Sequence, residues 1–201
     1  MRNVFVKFFD ILFPPSPDAC LVRTLTQEDM KKNYSLHRIN DVVTLSHFQN
    51  PAIRALIHEA KFHGSMRAYS LLSMLLDIYL HENIQKYDAV IPIPLSAVRM
   101  RERGYNQVYE VIVQNKYARD IGIEHKILTR IRHTQPQTSL DKEQRQKNLI
   151  DAFSVALPET ITGKHILLID DVVTTGTTLR TAKAELLRYS PKAITCLALA
   201  H

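Results

Sequence analysis

The chain reads as an α/β protein, with a mostly parallel sheet, helices on both faces and a small N-terminal appendage. Three observations predict this. Short, near-continuous apolar runs recur at residues 88–94, 164–171 and 193–200, as in strands buried on both faces. Between them lie segments with apolar residues at helical spacing, and strands alternating with helices imply a covered parallel sheet. Third, 201 residues with 45 % apolar and 23 % charged content suffice for one substantial core.

The same composition excludes a disordered chain and a disulfide scaffold. Cys20 and Cys196 stand far apart and cannot alone make a four-ligand zinc site; Cys196 lies in an apolar run and reads as a small core residue. The formal net charge of +6 favours an acidic partner, whether polyphosphate metabolite, nucleic acid or anionic surface, or serves solubility alone.

The elements follow in order. Residues 4–13 predict a short apolar helix stopped by Pro14 and Pro15. Lys7 and Asp10 interrupt it, and no small-x-small cleavage site follows. No stretch reaches the roughly 18 apolar residues of a membrane span, so the expected location is the cytoplasm. Residues 24–33 are polar and read as a loop or linker, and residues 42–48 read as a strand. Asn50 is a plausible N-cap with Pro51 at the first helical position. Ile53, Leu56, Ile57 and Ala60 then share a face, Gly64 closes the unit, and Leu71, Leu72, Leu75, Leu76 and Tyr79 mark a second helix. Beyond the strand at 88–94, the pattern predicts a helix at 106–119 and a strand at 126–131. A loop at 132–141 and a short charged helix to Leu149 follow. The strand at 164–171, a helix at 177–189 and the last strand complete the domain.

The chemistry concentrates in Ile166-Leu-Leu-Ile-Asp170-Asp171-Val-Val-Thr174-Thr175-Gly176-Thr177-Thr178-Leu179. An apolar strand ends in two carboxylates, and a Thr- and Gly-rich turn opens a helix. Ligands of parallel sheets sit beyond the C-terminal strand ends. First-turn amides attract phosphate, and Gly176 permits close approach. The hydroxyls of Thr174, Thr175, Thr177 and Thr178 add donors. Two carboxylates would repel that phosphate unless they address a ribose diol, with Mg²⁺ completing the charge balance. A P-loop is excluded, because Gly163-Lys164 is followed by His165 and lacks the earlier Gly. The Thr-Gly-Thr turn also departs from a phospho-acceptor receiver domain.

This segment resembles the signature by which type I phosphoribosyltransferases bind phosphoribosyl pyrophosphate (PRPP). Other stretches resemble one branch, the ComF family associated with DNA uptake in competent bacteria. Three motifs carry the likeness: residues 50–64, ending Lys61-Phe62-His63-Gly64; Ile91-Pro92-Ile93-Pro94 with Arg101-Glu102-Arg103-Gly104-Tyr105-Asn106-Gln107; and Thr134, Pro136, Gln137, Leu140, Arg145, Asn148, Ala152 and Phe153. The resemblance implies a type I phosphoribosyltransferase-like fold over residues 41–201. Residues 1–40 become an appendage: a degenerate zinc-module region and linker that keeps Cys20 but lacks its partner cysteines.

The resemblance further implies Asp170 and Asp171 as catalytic residues on the ribose hydroxyls. It sets Thr174, Thr175, Gly176, Thr177 and Thr178 around the 5-phosphate, and makes Pro94, Arg99, Arg101 and Arg103 candidates for the pyrophosphate. Mg²⁺ would accompany PRPP, with no side chain assigned as its direct ligand. The implied activity is phosphoribosyl transfer to an unknown acceptor; the alternative is a non-catalytic PRPP- or nucleotide-binding accessory of DNA uptake. Protein partners in DNA uptake and a homodimer are compatible with the family, while nucleic acid is supported by charge alone. His58-Glu59 and His63 superficially suggest a metal motif. Five residues turn about 140° around a helix, so the two imidazoles are expected to face apart.

Overall fold

The computed structural model describes residues 15–131 and 152–201. The helix expected at 4–13, the 132–141 loop, the charged helix to Leu149 and the motif residues Thr134, Pro136, Gln137, Leu140, Arg145 and Asn148 lie outside them.

Eight helices are described: α1 Pro17–Thr24, α2 Gln27–Asn33, α3 Pro51–Phe62, α4 Met66–Asn83, α5 Ala97–Arg103, α6 Gln107–Gln114, α7 Lys116–Ile121 and α8 Thr177–Leu187. Seven strands accompany them: β1 His37–Ile39, β2 Val42–Thr44, β3 Ala89–Pro92, β4 Leu128–Arg130, β5 Phe153–Val155, β6 His165–Val172 and β7 Ala193–Ala200. The main sheet runs β1-β2-β7-β6-β3. Only β1 is antiparallel to its neighbour.

Strand β6 lies between β7 and β3 and is buried on both faces, as its apolar run requires. Leu167 and Ile169 join the core formed with α3, α4 and α6. Ile166 and Leu168 face the other way, towards Leu179, Ala182 and Leu186 of α8. The period-two alternation of a strand thus splits one apolar run between two layers.

Local chemistry sets the boundaries. Asn50 Oδ1 accepts from the amides of Ala52 and Ile53, and Pro51 opens α3 as expected. The expected linker at 24–33 is instead mostly helical. Thr26 and Asp29 form a reciprocal capping box at the start of α2, which satisfies first-turn donors without an apolar stripe. The single helix expected at 106–119 breaks at Asn115. Its side chain accepts from Ala118 N and donates to Ser73 O and Asp77 Oδ1, so it caps α7 while bonding to α4. The strand expected at 42–48 stops at Thr44. The strand at 126–131 shortens to β4 and pairs with β5 in a separate antiparallel ribbon rather than in the parallel sheet.

The histidine expectation is corrected as well. The ring centroids of His58 and His63 lie 5.7 Å apart. His63 is the residue that ends α3, with φ −121° and ψ −1°, so helical spacing does not govern where its side chain points.

Candidate functional site

Asp170 and Asp171 lie in β6 near its C-terminal end, where Asp170 still pairs with Ala198 of β7. The chain is held for one more residue by Val173 N donating to Ala200 O, 2.9 Å, and then turns into α8. Gly176 makes that turn at φ +72°. A Cβ there would lie 3.1 Å from Arg180 Nη1, the movable end of a long side chain, and 3.6 Å from Val173 Cγ2, so it is the positive φ that favours glycine here. No side chain caps α8. Its first-turn amides, at the positive end of the helix dipole, are therefore available to an anion.

A cavity of about 360 Å³ opens at this edge, lined by Asp170, Asp171, Thr174 and Thr178 on one side. Pro94 and Arg99 line it from the segment after β3, and Arg130 from the end of β4. The Asp pair, two of the four threonines and two of the expected pyrophosphate residues therefore share one space.

The remaining expected residues do not line that space. The hydroxyls of Thr175 and Thr177 bond to each other at 2.9 Å. Arg180 donates to Thr175 O at 2.7 Å and to Thr177 Oγ1 at 3.3 Å. Arg101 is exposed and donates back to Ala97 O of its own helix, 3.4 Å. Arg103 lies over the Phe62 ring and donates to Gln107 Oε1 at 2.9 Å.

That last contact begins a chain into the site. Gln107 Nε2 donates to Asp171 Oδ2 at 2.6 Å, and Lys61 Nζ lies 3.1 Å from the same oxygen. Asn106 fixes the start of α6: its Nδ2 donates to Ile93 O and its Oδ1 accepts from Val108 N. Asp171 is buried; Lys61 and the Gln107 side-chain amide hold its Oδ2, and Val172 N donates to its Oδ1 at 2.6 Å. Asp170 accepts only the amide of Asp171, 2.9 Å, among the hydrogen bonds of the described residues. Burial, and then the adjacent Asp171 charge, hold the Asp170 carboxyl above the usual carboxylate range. It keeps some solvent access although protein surrounds it, which is the environment of a group awaiting donors. Burial lowers the pKa of Arg130, and Arg99 adds to that effect while Asp170 opposes it. The Arg130 guanidinium stays charged at any ordinary pH.

The cavity's lining includes residues with no role assigned from the sequence, among them Phe48, Lys61, Gln107 and Arg130. Lys61 and Gln107 stand inside recognisable motifs, which was a usable signal. Phe48 and Arg130 carry none, because their approach to Asp170 depends on how distant elements meet.

A strand-borne carboxylate pair beside a Thr-Gly helix start, at the C-terminal edge of a parallel sheet, defines a class of protein before any comparison is made. The phosphoribosyl transferase domain family matches residues 79–201, and the chain belongs to that family. Among curated proteins it is similar to competence protein F of Haemophilus influenzae, with 32 % identity over 144 residues, covering 69 % of this chain and 62 % of that protein. It is also similar to the DNA utilization protein YhgH of Escherichia coli K12, with 33 % identity over 149 residues, covering 72 % and 65 %. The chain thus spans less than two thirds of the length of these relatives.

Among solved structures, it overlaps the glutamine PRPP amidotransferase of B. subtilis complexed with ADP and GMP at TM-score 0.48 and 16 % identity. That match covers 70 % of this chain and 30 % of the other. A hypoxanthine-guanine phosphoribosyltransferase of Bacillus anthracis overlaps at TM-score 0.43 and 15 % identity, covering 67 % and 68 %. Among the described residues, no helix is long and apolar enough to cross a membrane.

Proposed function

We propose that the cavity binds PRPP and that the protein transfers its phosphoribosyl group to an acceptor. The observation that carries this reading is the sharing of one cavity by an under-satisfied carboxylate, a threonine-lined helix start and two guanidinium groups. Each matches one part of the ligand. Asp170 and Asp171 accept from the ribose 2′- and 3′-hydroxyls. Thr174 and Thr178, with the first amides of α8, hold the 5-phosphate, while Thr175 and Thr177 keep the turn in shape. Arg99 and Arg130 face the pyrophosphate, where planar guanidinium groups suit phosphate oxygens. Arg103 acts one step away, by orienting Gln107 against Asp171.

The residues fit a magnesium ion carried by the ligand. The site offers oxygen donors, which suit a hard cation. It offers no dedicated cage, since Lys61 and Gln107 already occupy Asp171 Oδ2. Bound with pyrophosphate, the ion would neutralise charge on the leaving group. In the reaction, the bond from ribose C1 to the pyrophosphate oxygen breaks and a bond from C1 to the acceptor forms. The acceptor's proton goes to solvent or to the departing pyrophosphate. The protein's share is positioning and preorganised charge.

Asp170→Asn combined with Asp171→Asn tests the assignment by calorimetry with Mg²⁺ and PRPP. The expected result is a loss of affinity of at least about tenfold, or 1.4 kcal/mol, with the circular dichroism spectrum unchanged. Unchanged affinity would remove the ribose site. The names of the relatives favour a second reading, in which the pocket binds PRPP without turnover and serves DNA uptake. That reading predicts PRPP binding with no pyrophosphate release when purines, pyrimidines and amines are offered as acceptors.

A further inference from the structure

A second cluster lies in the last turn of the Lys61 helix and at its C-terminal cap. His58, Glu59 and His63 each place one ligand atom within 4.8 Å of the other two. His63 Nε2 is 3.8 Å from Glu59 Oε1. The edge of a tetrahedral zinc site, with bonds of about 2.0–2.1 Å, is about 3.3 Å, so small side-chain rotations bring the three atoms onto one ion. We propose that His58, Glu59 and His63 form a binding site for a divalent transition metal of the zinc class.

Four further observations support it. Glu59 is a buried carboxylate at the end of a helix. The hydroxyl of Ser16 donates to its Oε1 at 3.1 Å, the kind of outer hydrogen bond that holds a ligating carboxylate. Asp18 Oδ2 lies 3.1 Å from His58 Nδ1, yet that shielded nitrogen makes no hydrogen bond of acceptable geometry. A small turn of the ring would let Nδ1–H donate to this carboxylate, the arrangement found behind ligating histidines. The cluster also sits at the C-terminal end of α3, where the helix dipole favours a cation.

The donor set of two imidazoles and one carboxylate selects the zinc class over magnesium or calcium. Three protein ligands leave one position for water. The role follows from what surrounds the ligands. All three come from the end of α3, while Ser16, just before α1, and Asp18, on α1, reach Glu59 and His58, so a bound ion acts as a staple on the end of α3 against which the start of α1 packs. Lys61 lies in the same last turn and reaches Asp171, which makes the staple a support for the cavity wall. This site is independent of the PRPP reading.

The test uses the full chain stripped with a chelator and titrated with Co²⁺, then displaced by Zn²⁺. The expected result is one equivalent of Co²⁺ with visible d–d absorption, bleached by Zn²⁺, and a melting temperature raised by Zn²⁺. His63→Ala, whose ring is more than half exposed, keeps the fold but loses the absorption and the thermal shift. Asp18→Asn weakens Zn²⁺ about tenfold. Asp170→Asn with Asp171→Asn leaves the absorption and stoichiometry intact, which separates this site from the sheet edge. The proposal is overturned if the stripped chain takes up no Co²⁺, if His63→Ala binds as the parent does, or if the Asp pair abolishes the signal.

Discussion

Asp170, proposed to hold the ribose hydroxyls, carries a cost to the stability of the fold itself. Burial and the Asp171 charge raise its pKa above the ordinary 3.8, so the folded chain holds this proton more tightly than the unfolded one. The stability linked to the group is therefore complete below the unfolded pKa and is lost as pH rises through the folded value. Asp170→Asn removes that loss. Its melting temperature should exceed the parent's by about 2–4 °C at slightly alkaline pH, a shift of about 1 kcal/mol for a chain of this size. The gap should close on acidification towards the unfolded pKa, and a gap independent of pH would contradict the assignment. At this scale the site was partly legible. The Asp pair and the threonine turn are contiguous in sequence, so their chemistry could be read directly. Lys61, Gln107 and Arg130 are brought to them from α3, α6 and β4 by the fold, and no local pattern encodes that meeting.

Helix α3 was readable because Asn50 and Pro51 punctuate it and its apolar face is continuous. Helix α2 was not, because Met30 is its only buried residue and the stripe that marks an amphipathic helix is missing. Its capping box stands in the letters Thr26 and Asp29, but a polar stretch without an apolar stripe reads as a loop. The break at Asn115 was hidden for the opposite reason, since an apolar pattern continues across it. Asn115 is fully buried and its side chain serves three partners. Asn115→Ala should cost about 2–3 kcal/mol, combining the lost cap with unsatisfied partners in α4. Chemical denaturation measures this; a loss below about 0.5 kcal/mol would mean that the cap is not what separates α6 from α7.

Among the described residues, a mostly parallel sheet brings polar residues to one edge and buries its central strands between two apolar layers. Strand β7 matches the expected residues 193–200 and β6 lies within one residue of expectation, because strands apolar on both faces have sharp ends. The β4-β5 ribbon escaped prediction because periodicity cannot say which sheet a strand joins. Lys61, Arg99 and Arg130 share one cavity with the Asp pair, and the proposed ligand, which bears both hydroxyls and phosphates, would use both signs of charge. Calorimetric titration of PRPP, with and without Mg²⁺, against ribose 5-phosphate and AMP tests that claim most directly. The account predicts binding that requires Mg²⁺ and favours PRPP, because only PRPP occupies the diol, 5-phosphate and pyrophosphate positions together. Equal affinity for all three ligands, or no binding by folded protein, would contradict it.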